Sequence, residues 1–212
     1  MTFFRAIPKL AVLVALAFLA AGGPAAATDS RPAVHVLLAT DRGDIEVVLY
    51  PDKAPLTAGN FLRYVDKGYF DGGGFYRVVR PDNDHGNPPI SVIQGGPRPG
   101  TANKFPPIAH ESTATSGLRH RDGTISMARG AIGTAGAEFF ITIGDQPGLD
   151  AGGKRNADGQ GFAAFGQVVR GMDVVRAINA LKAASNGADP YTKGQVLIPP
   201  VIIKTARRVK TP

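Results

Sequence analysis

Eight short apolar runs, each stopped by glycine, proline or a polar cluster, constrain this chain more than any other feature. They are His35–Thr40, Asp44–Tyr50, Phe75–Val79, Ile90–Gln94, Thr124–Met127, Phe139–Ile143, Gly161–Val169 and Leu197–Lys204. Runs of this length, rich in Val, Ile and Phe, read as strands. Asp41-Arg42-Gly43 joins the first two as a hairpin. Only two stretches carry a helical period. Leu56–Lys67 sets Phe61, Leu62 and Val65 on one face, and Gly171–Ala184 does the same with Val174, Val175, Ile178 and Leu181. Strands and helices do not alternate as βαβ units. About eight strands and two helices therefore favour a mainly β fold, a closed antiparallel barrel, over a parallel sheet.

The stretch Gly123–Gly144 sits at the centre of this plan. Two strands flank a loop of small residues, Ala128 to Ala137, which lets another backbone approach closely. Phe139 and Phe140 are consecutive, so on a strand they point to opposite faces. One can serve a core and the other a groove suited to an extended peptide. In Phe75–Val79, alternation places Phe75, Arg77 and Val79 on one face, an unusual position for an arginine.

The chain has 212 residues, 43% of them hydrophobic, which suits one domain or at most two and argues against a disordered chain. Residues 1–27 read as a secretory signal peptide. Arg5 and Lys9 precede the 12-residue apolar run Leu10–Ala21, and Ala25-Ala26-Ala27 fits the small-residue cleavage rule. That run is shorter than the roughly 20 residues a membrane span needs. The expectation is an exported, periplasmic protein, cleaved before Thr28, with residues 28–212 forming a single domain and no membrane span left. Loss of Arg5 and Lys9 leaves 22 basic against 17 acidic residues, a net charge of +5. The basic residues are scattered apart from Arg207, Arg208 and Lys210, and no nucleic-acid motif accompanies them. There is no cysteine, so disulfides and thiolate metal sites are excluded.

Several motifs fail on context. Gly148 to Lys154 approximates a phosphate-binding loop, but Arg155 stands where a magnesium-holding hydroxyl belongs. Gly159 to Ala164 spaces like a dinucleotide fingerprint yet enters a strand instead of leaving one. His35, His85, His110 and His120 show no metal-ligand spacing, and Ser126 sits in no nucleophile elbow. No metal or cofactor is expected.

Five segments in order carry a specific resemblance. They are Phe75-Tyr76-Arg77-Val78-Val79, Ile93-Gln94-Gly95-Gly96, Gly123 to Ala128, Phe139-Phe140-Ile141, and Ala164-Phe165-Gly166-Gln167-Val168 followed by Gly171-Met172. Together they resemble the cyclophilin family of peptidyl-prolyl cis–trans isomerases, most of all its bacterial secreted branch, from Val34 to Ile203. The resemblance implies a closed eight-stranded antiparallel β-barrel capped by two α-helices, matching the pattern above. It implies Arg77 as the catalytic arginine and Gln94 as the glutamine that holds it. Val92, Phe140, Leu149 and Phe162 would line a proline pocket, with Ala128, Arg129 and Glu138 along the substrate rim. The implied partners are proline-containing segments of unfolded or exposed chains, bound by a monomer.

The chain departs from the family pattern at several positions. The pocket aromatic expected soon after the arginine is missing, and Arg80–Pro89 is enlarged there. Ser91 and Val92 replace bulkier apolar residues, Glu138 replaces a glutamine, Gly148 a tryptophan and Phe162 a histidine. Two functions follow. One is prolyl isomerisation during folding of exported proteins. The alternative is a non-catalytic cyclophilin-like peptide-binding module or chaperone.

Overall fold

The computed structural model describes residues 1–2, 32–184 and 189–210. All but the first two residues of the expected signal peptide lie outside this set. The strands are β1 (Val34–Thr40), β2 (Gly43–Leu49), β3 (Gly73–Val79), β4 (Val92–Gly96), β5 (Thr124–Met127), β6 (Phe139–Thr142), β7 (Ala163–Arg170) and β8 (Val196–Val209). They close into one antiparallel barrel in the order β1-β2-β7-β5-β6-β4-β3-β8. β8 seals it, pairing with β1 through Ile203–Val209 and with β3 through Val196–Ile203.

The first helix, α1 (Pro55–Asp66), has proline at its start, where the missing N–H costs nothing. Ala54 supplies no side-chain cap. Glu111 does so from a distant loop: its carboxylate accepts from Leu56 N at 3.0 Å, Thr57 N at 2.7 Å and Thr57 Oγ1 at 2.6 Å. A carboxylate there satisfies orphan donors and complements the helix dipole. Phe61 packs edge-on against Phe139, with ring centroids 5.3 Å apart, and lies the same distance from Phe165.

Two element ends lie five residues from expectation, and one helix is additional. The last helix, α3 (Met172–Asn179), stops five residues early. Asn179 is buried and donates through Nδ2 to the Val79 and Val92 carbonyls, both at 3.0 Å, and Ala184 N bonds Val196 O at 2.8 Å. Tertiary hydrogen bonds thus divert a backbone whose apolar period continues. β8 runs on to Val209, because Arg207 and Arg208 point outward to Asp71 and Asp66 while Ala206 stays buried. A further helix, α2 (Thr113–Ser116), is too short to show a period. Its signals were the Ser112 cap and the left-handed Gly117 at its end.

The strand alternation sorts side chains into two clusters. Val78, Ile93 and Phe139 join the main core with Phe61, Phe75 and Phe165. Their neighbours Val79, Val92 and Phe140 join a smaller cluster with Ile90 and Leu149 on the other face of the wall.

Candidate active site

That smaller cluster floors a pocket of about 260 Å³. Seven of the expected residues line it with Arg77: Val92, Gln94, Ala128, Arg129, Phe140, Leu149 and Phe162. Glu138 lies in the adjoining concavity, which shares Gln94, Ala128 and Arg129. Sequence reading did not find Val79, Ile90, Arg155, Tyr191 and Thr192, which complete the lining. Val79 and Ile90 supply the apolar wall where the pocket aromatic was missing.

Arg77 reaches this face through a bulge. β3 and β4 pair as Phe75↔Gly95 and then Arg77↔Gln94, leaving Tyr76 as the extra residue. An inserted residue breaks strict alternation. Phe75 therefore enters the main core while Arg77 lines the pocket, correcting the expectation of one shared face. The guanidinium is gripped along two sides. Nε and one terminal nitrogen donate to Gln195 Oε1 at 2.8 and 2.6 Å, and the other terminal nitrogen donates to Gln94 Oε1 at 3.0 Å. A guanidinium has five N–H bonds. Among the described residues three are taken, which leaves one on each terminal nitrogen. Gln195 is fully buried and donates in turn to Asn83 O at 2.7 Å.

Among the described residues Glu138 makes no direct hydrogen bond to Arg77 and reaches it through Gln94. Gln94 Nε2 donates to Glu138 Oε2 at 3.0 Å and to the Tyr76 hydroxyl oxygen at 2.9 Å, and the Tyr76 O–H donates to the same carboxylate. A carboxylate only accepts. It therefore fixes the Gln94 amide with nitrogen toward Glu138 and oxygen toward Arg77. Burial, then the charge of Glu138, pushes the Tyr76 hydroxyl above its ordinary pKa, so it stays a donor.

The pocket floor is Phe140. Its ring stacks on His120, with centroids 6.0 Å apart and planes 14° apart, and meets Phe162 edge-on at 5.3 Å. His120 Nδ1 lies 2.7 Å from Asp150 Oδ1, and Nε2 lies 2.9 Å from Ser126 Oγ. These contacts have the connectivity of a serine–histidine–aspartate relay. Ser126 is fully buried and His120 is 1% exposed, so no substrate carbonyl reaches the hydroxyl. The relay fastens the Leu149–Asp150 turn to β5 and seats Phe140. Burial pushes the Asp150 carboxyl up, but hydrogen bonds from His120 outweigh it and hold the group below the usual carboxylate range.

The rim is braced by arginines with little freedom to bind substrate. Arg129 donates to the Gly161 carbonyl at 2.8 and 2.6 Å and to Asp158 at 2.8 and 2.9 Å, and its side chain is 1% exposed. Arg129 is thus a strap that shapes the rim. The Arg129 hydrogen bonds lower the Asp158 pKa from 3.8 to about 2. A depressed carboxylate stabilises the fold above its unfolded pKa and loses that contribution as pH falls through the folded one. Its contribution to stability is therefore expected to be full above pH 3.8 and to be lost between there and about 2, where the folded carboxylate takes up its proton and the strap releases. Proton-coupled NMR shifts of Asp158 and peptide binding against pH check this; release above pH 5 would contradict it.

The enlarged segment Arg80–Pro89 docks on the loop that follows β6. Arg155 donates to Asp84 through both terminal nitrogens at 2.7 Å and to Pro88 O at 2.9 Å. Burial raises the Asp84 carboxyl, but Arg155 and the backbone N–H groups of Gly86 and Ile90 outweigh it and hold the pKa below normal. Gly148 is required here, since a Cβ on it would lie 2.5 Å from Pro88 Cγ. Pro88 thus occupies the space beside Gly148, where some relatives in the resemblance place a large ring. Gly148→Ala is expected to destabilise the protein by about 1–3 kcal/mol through overpacking, measured by urea denaturation; a neutral result would show that the loop yields freely.

The family model for cyclophilin type peptidyl-prolyl cis-trans isomerase/CLD matches residues 35–207. Peptidyl-prolyl cis-trans isomerase A of Dickeya dadantii is 37% identical over 206 residues, which is 95% of this chain and 97% of that protein. Peptidyl-prolyl cis-trans isomerase B of Escherichia coli is 34% identical over 149 residues, 70% of this chain and 85% of that one. A crystal structure of a cyclophilin type isomerase from Cryptosporidium parvum shares the fold, with a TM-score of 0.65 at 23% identity over 85% of this chain and 100% of that chain. A barrel of this strand order, matched along nearly all its described length, belongs to the cyclophilin-type peptidyl-prolyl cis–trans isomerase family.

Proposed function

We propose that the protein catalyses X-Pro rotation with Arg77 as the catalytic group, acting on exported chains. The observation that carries this reading is the Arg77 guanidinium, anchored by Gln94 and Gln195 with two N–H bonds left open beside an apolar pocket. Rotation about a peptide bond faces a barrier of about 18–20 kcal/mol because the nitrogen lone pair is delocalised. At the twisted transition state that lone pair is localised on the proline nitrogen. A donor aimed there bonds the transition state more strongly than either planar ground state, which is the requirement for catalysis. Phe140, Leu149, Val92 and Phe162 would hold the proline ring while the preceding carbonyl swings. Ala128 and the rim braced by Arg129 would hold the flanking backbone.

A binding module without turnover would need the apolar floor but not a preorganised cation with open donors. The two readings separate on catalysed cis–trans exchange of a short X-Pro peptide, read by exchange NMR. Enhanced exchange supports the isomerase; binding without enhancement favours the module. Phe140→Ala is expected to raise KM for such a peptide at least tenfold, because it removes the pocket floor, while the Arg77 contacts remain.

The remaining parts of the reading rest on the sequence. The leader over residues 1–27 supports export to the periplasm and a single-domain mature chain from Thr28, acting as a monomer. N-terminal sequencing of protein recovered from the envelope fraction tests this, and an intact Met1 would overturn it. No helix among the described residues is long and apolar enough to cross a membrane.

A further inference from the structure

Glutamine contacts restrain Arg77 within the plane of its guanidinium, and the guanidinium carbon also sits over an aromatic ring. The Tyr191 ring centroid lies 5.0 Å from Arg77 Cζ. Tyr191 is 56% exposed, and its hydroxyl has no hydrogen-bond partner among the described residues. A large ring left in solvent with an idle hydroxyl is not there for burial. The segment that carries it is braced by its own hydrogen bonds. Tyr191 N donates to Asp189 Oδ1 at 3.0 Å, Thr192 Oγ1 donates to Asp189 Oδ2 at 3.2 Å, and Gln195 N donates to Thr192 O at 3.0 Å. The same turn therefore presents both Gln195 and the Tyr191 ring to the guanidinium.

We propose that Tyr191 is a positioning residue for the isomerisation, its ring holding the plane of Arg77 so that the two open N–H bonds stay aimed into the pocket. The inference rests on the reading of Arg77 as the catalytic donor. The in-plane bonds to Gln94 and Gln195 oppose sideways swing. They resist tilt out of the plane weakly, because each acceptor oxygen tolerates a broad range of approach. A π face stacked on the cation opposes tilt and attracts the charge. The ring orders the donor without touching the reacting bond, so its loss disorders the donor and lowers kcat, leaving peptide affinity in place.

The test compares Tyr191→Leu, which keeps apolar bulk without a π face, with Tyr191→Phe, which keeps the face without the hydroxyl. For an X-Pro peptide, Tyr191→Leu is expected to lower kcat by about three- to tenfold, the range of a partly exposed cation–π contact, with KM unchanged. Tyr191→Phe should match the parent chain. The Arg77 Nε–H proton should show a ring-current shift in the parent and the Phe variant that disappears in the Leu variant. A Leu variant with unchanged kcat, or with raised KM and unchanged kcat, overturns the proposal; the second result would make the ring a substrate contact. Inactivity of the parent chain, or full activity of Arg77→Ala, is a different failure: it removes the catalytic reading itself, and this inference with it.

Discussion

Arg77→Ala is expected to slow catalysed X-Pro exchange by about 100- to 1000-fold, the cost of removing one preorganised donor, about 2.7–4 kcal/mol. The loss should fall on kcat. The apolar floor of Phe140, Leu149 and Val92 is untouched, so peptide affinity should persist. Arg77→Lys should rescue little. A lysine has three donors from one nitrogen, and it cannot satisfy Gln195 and Gln94 on two sides and still present two open N–H bonds. Some stability will go as well, because Gln195 Oε1 is buried and loses both its donors. Exchange NMR gives the rate and chemical-shift titration the affinity. A variant that isomerises as fast as the parent would sink the arginine mechanism, and one that neither binds nor folds would be replaced by Arg77→Gln.

The second large effect concerns the wall of the pocket. Asp84→Ala is expected to destabilise the protein by about 3–5 kcal/mol, because it strands a buried guanidinium. The side chains of Asp84 and Arg155 are 1% and 5% exposed, and Arg155 lines the pocket. The segment Arg80–Pro89 would lose its tie to Arg155 and KM for peptide should rise. A paired replacement, Asp84→Leu with Arg155→Met, should cost less than either single change, since no charge is then left buried. Denaturant melts at pH 7 check both. A loss below about 1 kcal/mol for Asp84→Ala would place the pair in water in solution, the regime of surface ion pairs.

Strand alternation made much of the architecture legible. Phe139 and Phe140 had to part to opposite faces, and they do, one into the main core and the other to the pocket floor. The same parity failed at Arg77, because a bulge at Tyr76 leaves no mark in a five-residue run that is apolar or aromatic apart from the arginine itself. The fold and the members of the pocket came from the resemblance as much as from pattern. What stayed hidden was contributed across long separations. Gln195 is 118 residues from Arg77, Arg155 is 71 from Asp84, and Glu111 is 54 from Thr57. None of these partners lies in a periodic run, and their chemistry is ordinary until the barrel brings them together. The relay of His120, Asp150 and Ser126 is a sharper case, since its residue types suggest nucleophilic catalysis and only its burial assigns it to structure.

The closure of β8 onto β1 has a consequence for a protein proposed to handle unfolded chains. An open sheet offers a row of unpaired N–H and C=O groups, a template on which a non-native strand can add. Here all eight seams are occupied, so the wall has no free edge to donate. A client held against it is limited to side-chain contacts and a short length of rim backbone. It can be gripped and released without being recruited into a mixed sheet, which protects both partners from growing into an aggregate.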